Sequence, residues 1–470
     1  MHISSIRLGH ANNSSSTHSI LLMSPEKEIT VNNFDFGWEW FHLRSKKSKA
    51  EYLAVVLNEN LPKNIPDEHR LAIIRQVTGL DVVNDILDGY LDHQSKILLP
   101  SGETDYPDME FYKDLFDYVV NNEKISIRGG NDNDEFPPDF GGTPIELNTN
   151  LNQRTRKDGD WWVLYNPYTG AKVRLSFKEN PESYTNSTVP ELIDFKITNV
   201  CLKNCKFCYQ GSEHDGKKAD YGFVKEIIHA LRHHKVLECA VGGGETTQYP
   251  NFTDVLSDLN WHNVYRDEKR VTPNFTSYDM QWSKNPEMVK SVEENCGSFA
   301  ISNTDKSTLV ELYNWNKNHA VRGNLQVVIG VAYPGNLYRT LIVAKELDIG
   351  VTFLGYKNTG RGSQYSTKEY IEGDLFKKLS EFKYTKFGAD ILFVKQFSKE
   401  IEEYGIHESL VVGEEGHFSC YIDAVEGKMG PSSYTPDLMH DIPMLPGRYD
   451  KSKKRLDVEN LFSKFPYTIT

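Results

Sequence analysis

The chain has 470 residues, 39% of them hydrophobic and 25% charged, with a formal net charge of −13. That length exceeds one ordinary domain, so two or three domains with a sizeable core are expected, and the acidic balance argues against a nucleic-acid binder with a general basic face. No stretch approaches the ~20 apolar residues of a membrane helix. Three of the six cysteines sit within one loop and three stand isolated at Cys239, Cys296 and Cys420, which is not a secreted disulfide framework. The N-terminal apolar run Ile20 to Met23 is too brief for a signal-peptide core. Cytoplasmic localisation is the expectation.

In chain order, Glu51 to Leu61 and Glu68 to Leu91 read as helices from their apolar spacing, the second with Gly79 as an interruption. Asp108 to Val120 is a further amphipathic helix. The loop from Gly129 to Gly142 is rich in Gly, Pro, Asp and Asn; it lacks the terminal glutamate of a calcium loop and reads as a solvated turn. Trp161 to Phe177 reads as a hairpin turning at Asn166 to Gly170, with its paired tryptophans in a core. A linker from Asn180 to Pro190 follows, so residues 1–187 form an α+β domain.

Beyond Pro190 strands and helices alternate: strands Leu192–Ile197, Val236–Val241, Arg270–Tyr278, Ser298–Ser302, Leu325–Val331 and Val351–Leu354, separated by helices Gly222–His233, Phe252–Leu259, Pro286–Glu294, Lys306–Asn316 and Leu337–Leu347. Apolar strands between amphipathic helices mean a parallel sheet covered by helices, either a partial (β/α)₆ barrel or a doubly wound open sheet. Directly after the first strand comes CLKNCKFC, with Cys201, Cys205 and Cys208 at a CxxxCxxC spacing. Three thiolates on one loop can hold three corners of a [4Fe–4S] cube and leave one iron open. A zinc site is the alternative, but it expects a second ligand pair, and none follows. After the second strand comes a glycine turn, Gly242, Gly243, Gly244, Glu245, Thr246, Thr247, closing with Pro250.

The cysteine loop and the glycine turn together resemble the radical S-adenosylmethionine (SAM) superfamily, and the resemblance implies a partial (β/α)₆ barrel over residues 188–373 with its ligands at the carboxyl ends of the strands. It implies that Cys201, Cys205 and Cys208 hold the cluster, that SAM chelates the open iron, and that Phe207 lies near the adenine. Gly243, Gly244 and Glu245 match the turn that receives the methionine amino group. Asn274, Ser302, Asn303 and Arg361, after strands three, four and six, stand where family members present polar groups to SAM or substrate; ordinary capping is the other reading. His229, His233 and His234 have the spacing of a metal pair but no HExxH-type carboxylate, and read as a solvated helix face.

Residues 374–470 read as a small C-terminal cap: a helix at Asp374–Phe382, a strand at Ile391–Val394, and a hairpin at His417–Lys428. The hairpin resembles the cap of SPASM-type radical SAM proteins, in which paired cysteines bind an auxiliary cluster. Here only Cys420 is present, with Ser432 and Ser433 where the second would be, so it reads either as a buried small side chain or as a catalytic thiol donating hydrogen to a substrate radical. The resemblance therefore implies a radical SAM enzyme that cleaves SAM reductively and modifies a C–H position. A peptide or protein substrate leads over a nucleotide or small metabolite, and a flavodoxin or ferredoxin would be the electron donor. The reading from a different class is a non-catalytic iron–sulfur binding protein.

Overall fold

In the computed structural model the described residues are 2–7, 34–36, 41–80, 84–91, 108–123, 125–129, 154–261, 270–331, 334–365, 376–377, 387–404, 415–447 and 454–467. The runs 20–23 and 130–142, and most of the helix expected at 374–382, lie outside them. The chain forms two compact units, one of Met1–Ser5, Ser16–Asn166 and Lys172–Ser183, the other of Ile6–Ser15, Pro167–Ala171 and Tyr184–Thr470.

In the first unit, helix α1 (Lys46–Asn60) starts five residues before the expected Glu51, because Ser45 caps it: Ser48 N donates to Ser45 Oγ at 3.1 Å. Helix α2 (Asp67–Thr78) stops at Gly79, whose left-handed φ of 68° lets its N–H close on the Arg75 carbonyl at 3.0 Å. The helix expected to run on to Leu91 therefore ends there, and Asn84–Ile86 is a separate 3₁₀ turn. Helix α3 (Met109–Asn121) is capped by Asp108. Strands β1 (Arg154–Asp158), β2 (Trp161–Tyr165) and β3 (Lys172–Ser176) form an antiparallel meander. Trp162 packs edge-on to Phe111 at 5.1 Å, and its indole N–H donates to Asp114 Oδ2 at 2.9 Å, so the tryptophans belong to the core.

The second unit is built on one ten-stranded sheet. Strands β4 (Leu192–Thr198), β5 (Glu238–Gly243), β6 (Thr272–Ser277), β7 (Ser298–Ile301), β8 (Arg322–Val328) and β9 (Val351–Leu354) lie side by side and parallel in chain order. Helices α4 (Tyr221–His233), α5 (Phe252–Asn260), α6 (Pro286–Asn295), α7 (Lys306–Asn318) and α8 (Pro334–Glu346) connect them. Ile193, Phe195 and Ile197 face the helix layer and join Val224, Ile227 and Leu231 in the core. Asp194 and Lys196, at the alternate positions, take the opposite face.

Two further parallel strands flank these six. Strand β10 (Phe387–Ala389) pairs with β9, and the segment expected as strand Ile391–Val394 is instead helix α9 (Ile391–Gln396). The correction has a local cause: Asp390 accepts from Phe393 N at 2.7 Å and starts a helix, which outweighs the β-like apolar run. On the other side, strand β11 (Ser419–Asp423) pairs parallel with β4, Cys420 opposite Ile193 and Asp423 opposite Lys196. Strands β12 (Lys428–Gly430) and β13 (His440–Asp441) continue the sheet antiparallel. The tail hairpin is thus a continuation of the main sheet, which remains open among the described residues.

Candidate active site

The loop carrying the three cysteines leaves the carboxyl end of β4 and is held on several sides. Asn199 N donates to the Lys217 carbonyl at 2.8 Å and Cys201 N to the Glu213 carbonyl at 2.8 Å, tying the loop to its own return. Lys203 Nζ meets Asp279 Oδ2 at 2.7 Å and lies 4.5 Å from the Tyr278 ring centre, reaching the loop after β6. The loop after β9 grips from another side: Arg361 Nε donates to the Cys205 carbonyl at 3.1 Å and its Nη2 to the Ser212 carbonyl at 2.7 Å.

The glycine turn supports the loop from below. Gly244 N donates to the Thr198 carbonyl at 2.7 Å and Glu245 N to the Val200 carbonyl at 2.8 Å. A Cβ on Gly243 would sit 2.3 Å from Thr198 O, and one on Gly244 would sit 2.1 Å from Val200 O. The missing side chains make room for the base of the cysteine loop, a different reason for the glycines from an approach to SAM. The Glu245 carboxylate is buried and accepts from Thr247 Oγ1 at 2.7 Å, Ser277 Oγ at 2.8 Å and Tyr278 N at 2.9 Å, joining the end of β5 to the end of β6.

The three thiols are half-buried and unbridged. Burial pushes the Cys201 and Cys205 thiols up; Glu245 adds to this at Cys201 and the neighbouring sulfurs add to it at Cys205. A cationic metal group relieves that crowding of prospective thiolates. Among the described residues no three His, Cys, Asp or Glu side chains converge on a position for a single metal ion. Three soft donors on one braced loop suit a soft multi-iron group.

Residues 195–302, from within β4 to just past β7, match the Radical SAM superfamily. The chain carries a radical SAM domain. This family uses a [4Fe–4S] cluster and SAM. No curated protein matches the chain. Solved structures with some similarity include Streptococcus suis SuiB bound to precursor peptide SuiA, at 13% identity over 54% of this chain and 61% of that one, with a TM-score of 0.40. Another is anSMEcpe with bound AdoMet and Kp18Cys peptide, at 13% identity over 53% and 75%, TM-score 0.34. A third is HydG, a maturase of the [FeFe]-hydrogenase, at 16% identity over 50% and 57%, TM-score 0.34. Likeness at this level carries no argument about substrate.

The other expected residues separate. Phe207 lies beside the loop after β9, edge-on to Tyr365 at 5.8 Å. Asn274 lies inside β6 rather than after it, fully buried, with its Oδ1 accepting from Ser298 N at 2.9 Å; its amide serves the sheet. Asn303 donates to Thr308 Oγ1 at 2.9 Å and accepts from Asp305 N at 3.1 Å, bracing the turn that leads into α7, whose N-cap is Asp305. Ser302 is exposed at the end of β7. Arg361 spends its guanidinium on the cysteine loop. Cys420 is buried on the β11 face opposite Tyr421 and Asp423, beside Tyr467 Oη at 3.6 Å, and is not brought to the cysteine loop. His234 bonds the Val458 carbonyl at 2.7 Å.

The inner face of the sheet holds a charged cluster that the sequence reading missed. Lys357 Nζ donates to Ser433 Oγ at 3.1 Å and stands 4.4 Å from the Tyr209 ring centre and 5.3 Å from that of Tyr434. Burial pulls the Lys357 ammonium down, but Tyr209, Asp194, Asp390 and Glu415 outweigh it and leave its pKa raised. Burial likewise pushes the Asp194, Asp390 and Glu415 carboxyls up, partly offset in each case by Lys357. Lys196 pairs with Asp423 at 2.9 Å. The available signal was the alternation in LIDFKIT, where Asp194 and Lys196 interrupt an apolar strand at every second position.

Proposed function

We propose that this protein is a radical SAM enzyme that modifies a C–H position of a peptide or protein substrate, with Cys201, Cys205 and Cys208 holding the cluster. The observation that supports this most is the juxtaposition at one sheet edge: three half-buried thiols on a loop seated on the Gly243–Gly244 turn, beside a charged, tyrosine-lined interior. When bound and reduced, the cluster would supply the electron that splits SAM into methionine and a hydrogen-abstracting 5′-deoxyadenosyl group. The chain's part is placement. Glu245 keeps the ends of β5 and β6 together, the glycines let the cysteine loop settle, and Phe207 and Tyr365 offer aromatic surface beside it.

The peptide preference follows from charge. Asp194, Asp390 and Glu415 surround one ammonium, Lys357, and Lys196 is neutralised by Asp423. Acidic side chains outnumber cations in this interior, so it disfavours a phosphate-bearing nucleotide and suits a neutral or cationic polar chain. Delivery of the electron falls to a small donor of the flavodoxin or ferredoxin class.

The test is anaerobic reconstitution followed by SAM and dithionite. One [4Fe–4S] cluster per chain and formation of 5′-deoxyadenosine are expected, both lost when Cys201, Cys205 and Cys208 are changed together to Ala. A cluster without SAM cleavage would make the protein a binder. Substrate class is read with deuterated pools: deuterium entering 5′-deoxyadenosine from a deuterated peptide digest supports the proposal, and from a deuterated nucleotide pool only would overturn it.

A further inference from the structure

The residues after β9 contact the cysteine loop through four of its backbone carbonyls. Arg361 N donates to Cys208 O at 3.0 Å, Arg361 Nε to Cys205 O at 3.1 Å, Thr359 Oγ1 to Tyr209 O at 3.1 Å, and Arg361 Nη2 to Ser212 O at 2.7 Å. The gripping segment is itself fixed, since Tyr356 Oη donates to Gly362 O at 2.6 Å and the Tyr356 and Tyr365 rings stack at 6.3 Å. Gly360 has a φ of 55°, and a Cβ there would lie 2.3 Å from Tyr209 O, so only glycine permits this approach.

We propose that the segment from Thr359 to Gly362 is a clasp that holds the cysteine loop in its ligating shape before any cluster binds, with Arg361 as the positioning residue. This rests on the reading of Cys201, Cys205 and Cys208 as cluster ligands. The loop from Cys201 to Ser212, which carries three thiols, otherwise samples many shapes, and ordering it on binding would weaken the cluster site. The guanidinium fork spans two carbonyls seven residues apart, those of Cys205 and Ser212, which a lysine ammonium cannot do with the same geometry. Arg361 is therefore assigned to the loop's backbone rather than to SAM or substrate.

The test uses the full-length, metal-free protein. Lys203 and Lys206 are exposed within the cysteine loop, so limited trypsinolysis read by mass spectrometry reports loop opening, with exposed Lys290 on α6 as the internal reference. Arg361→Gln and Arg361→Lys should raise cleavage at Lys203 and Lys206 relative to Lys290 by about tenfold or more, as two charge-assisted hydrogen bonds are lost. Thr359→Val, which removes one neutral hydrogen bond, should raise it about threefold, and it decides the matter if the arginine variants unfold. Hydrogen exchange over 201–212 should rise in parallel, and reconstitution should slow while reaching the same iron content. Equal cleavage ratios in wild type and Thr359→Val or Arg361→Gln would overturn the clasp. That failure is distinct from failure of the cluster reading, which shows as unchanged iron in the triple cysteine variant.

Discussion

At the scale of single residues, Glu245 and Cys420 show opposite fates for conspicuous side chains. Glu245 accepts three hydrogen bonds in a buried position, so Glu245→Ala strands the Tyr278 N–H, leaves Ser277 Oγ with the Asp279 carbonyl and frees Thr247. A loss of about 2–4 kcal/mol in urea unfolding is expected, with Glu245→Gln intermediate because it keeps one acceptor. Stability of Glu245→Ala equal to wild type would show these bonds to be weak. Burial pushes the Cys420 thiol up to about 12, with Tyr467 opposing. The folded protein therefore keeps this proton where the unfolded chain, near pH 9, has released it, so stability falls as pH rises from there toward 12. The contribution is about 1.4 kcal/mol per pH unit for this one group. Cys420→Ala should flatten the alkaline side of a urea-midpoint profile between pH 8.5 and roughly pH 11. It should also leave the iron content unchanged.

At the scale of elements, the glycine turn and the cysteine loop behave as one piece. Gly244→Ala would put a methyl group 2.1 Å from Val200 O, backbone that cannot yield without moving the cysteine loop. Iron content after reconstitution should therefore fall at least severalfold, not SAM affinity alone. Gly242→Ala is the control: its Cβ would lie 3.5 Å from Asp194 Oδ1, an ordinary contact, and iron content should hold. Full iron in Gly244→Ala would return the turn to the role of a SAM contact. Sequence pattern revealed both elements by their residue types, but not that the glycines serve the neighbouring loop, because that contact joins residues more than forty positions apart.

At the scale of the whole sheet, the strand beside β4 comes from the far end of the chain. β11 lies along β4, and the pair Lys196–Asp423 crosses that seam between buried side chains. Lys196→Met alone leaves a buried carboxylate without its partner and should cost about 3–5 kcal/mol. The double change Lys196→Met with Asp423→Leu should recover most of it, since an apolar pair of similar size fits between strands. Chemical denaturation of the four-member cycle measures this; no recovery in the double variant would mean that the pair does not bridge the seam.

The sequence by itself determined what is local or periodic. Six parallel strands followed from alternation of apolar strands with amphipathic helices, and the proposed cluster ligands are read from three thiols within eight residues. Those signals are short-range, and the chemistry of thiolates and glycine does not depend on distant partners. The tertiary structure decided what depends on residues far apart in the chain. It placed Cys420 in the core, turned Arg361 toward the cysteine loop, tied Asn303 to Thr308 on α7, and brought Lys357 among Asp194, Asp390 and Glu415. It also made Ser419–Asp423 a neighbour of Leu192–Thr198. Such pairings carry no spacing in the sequence, because hydrogen bonds and charges act between neighbours in space, and only the folded sheet makes these residues neighbours.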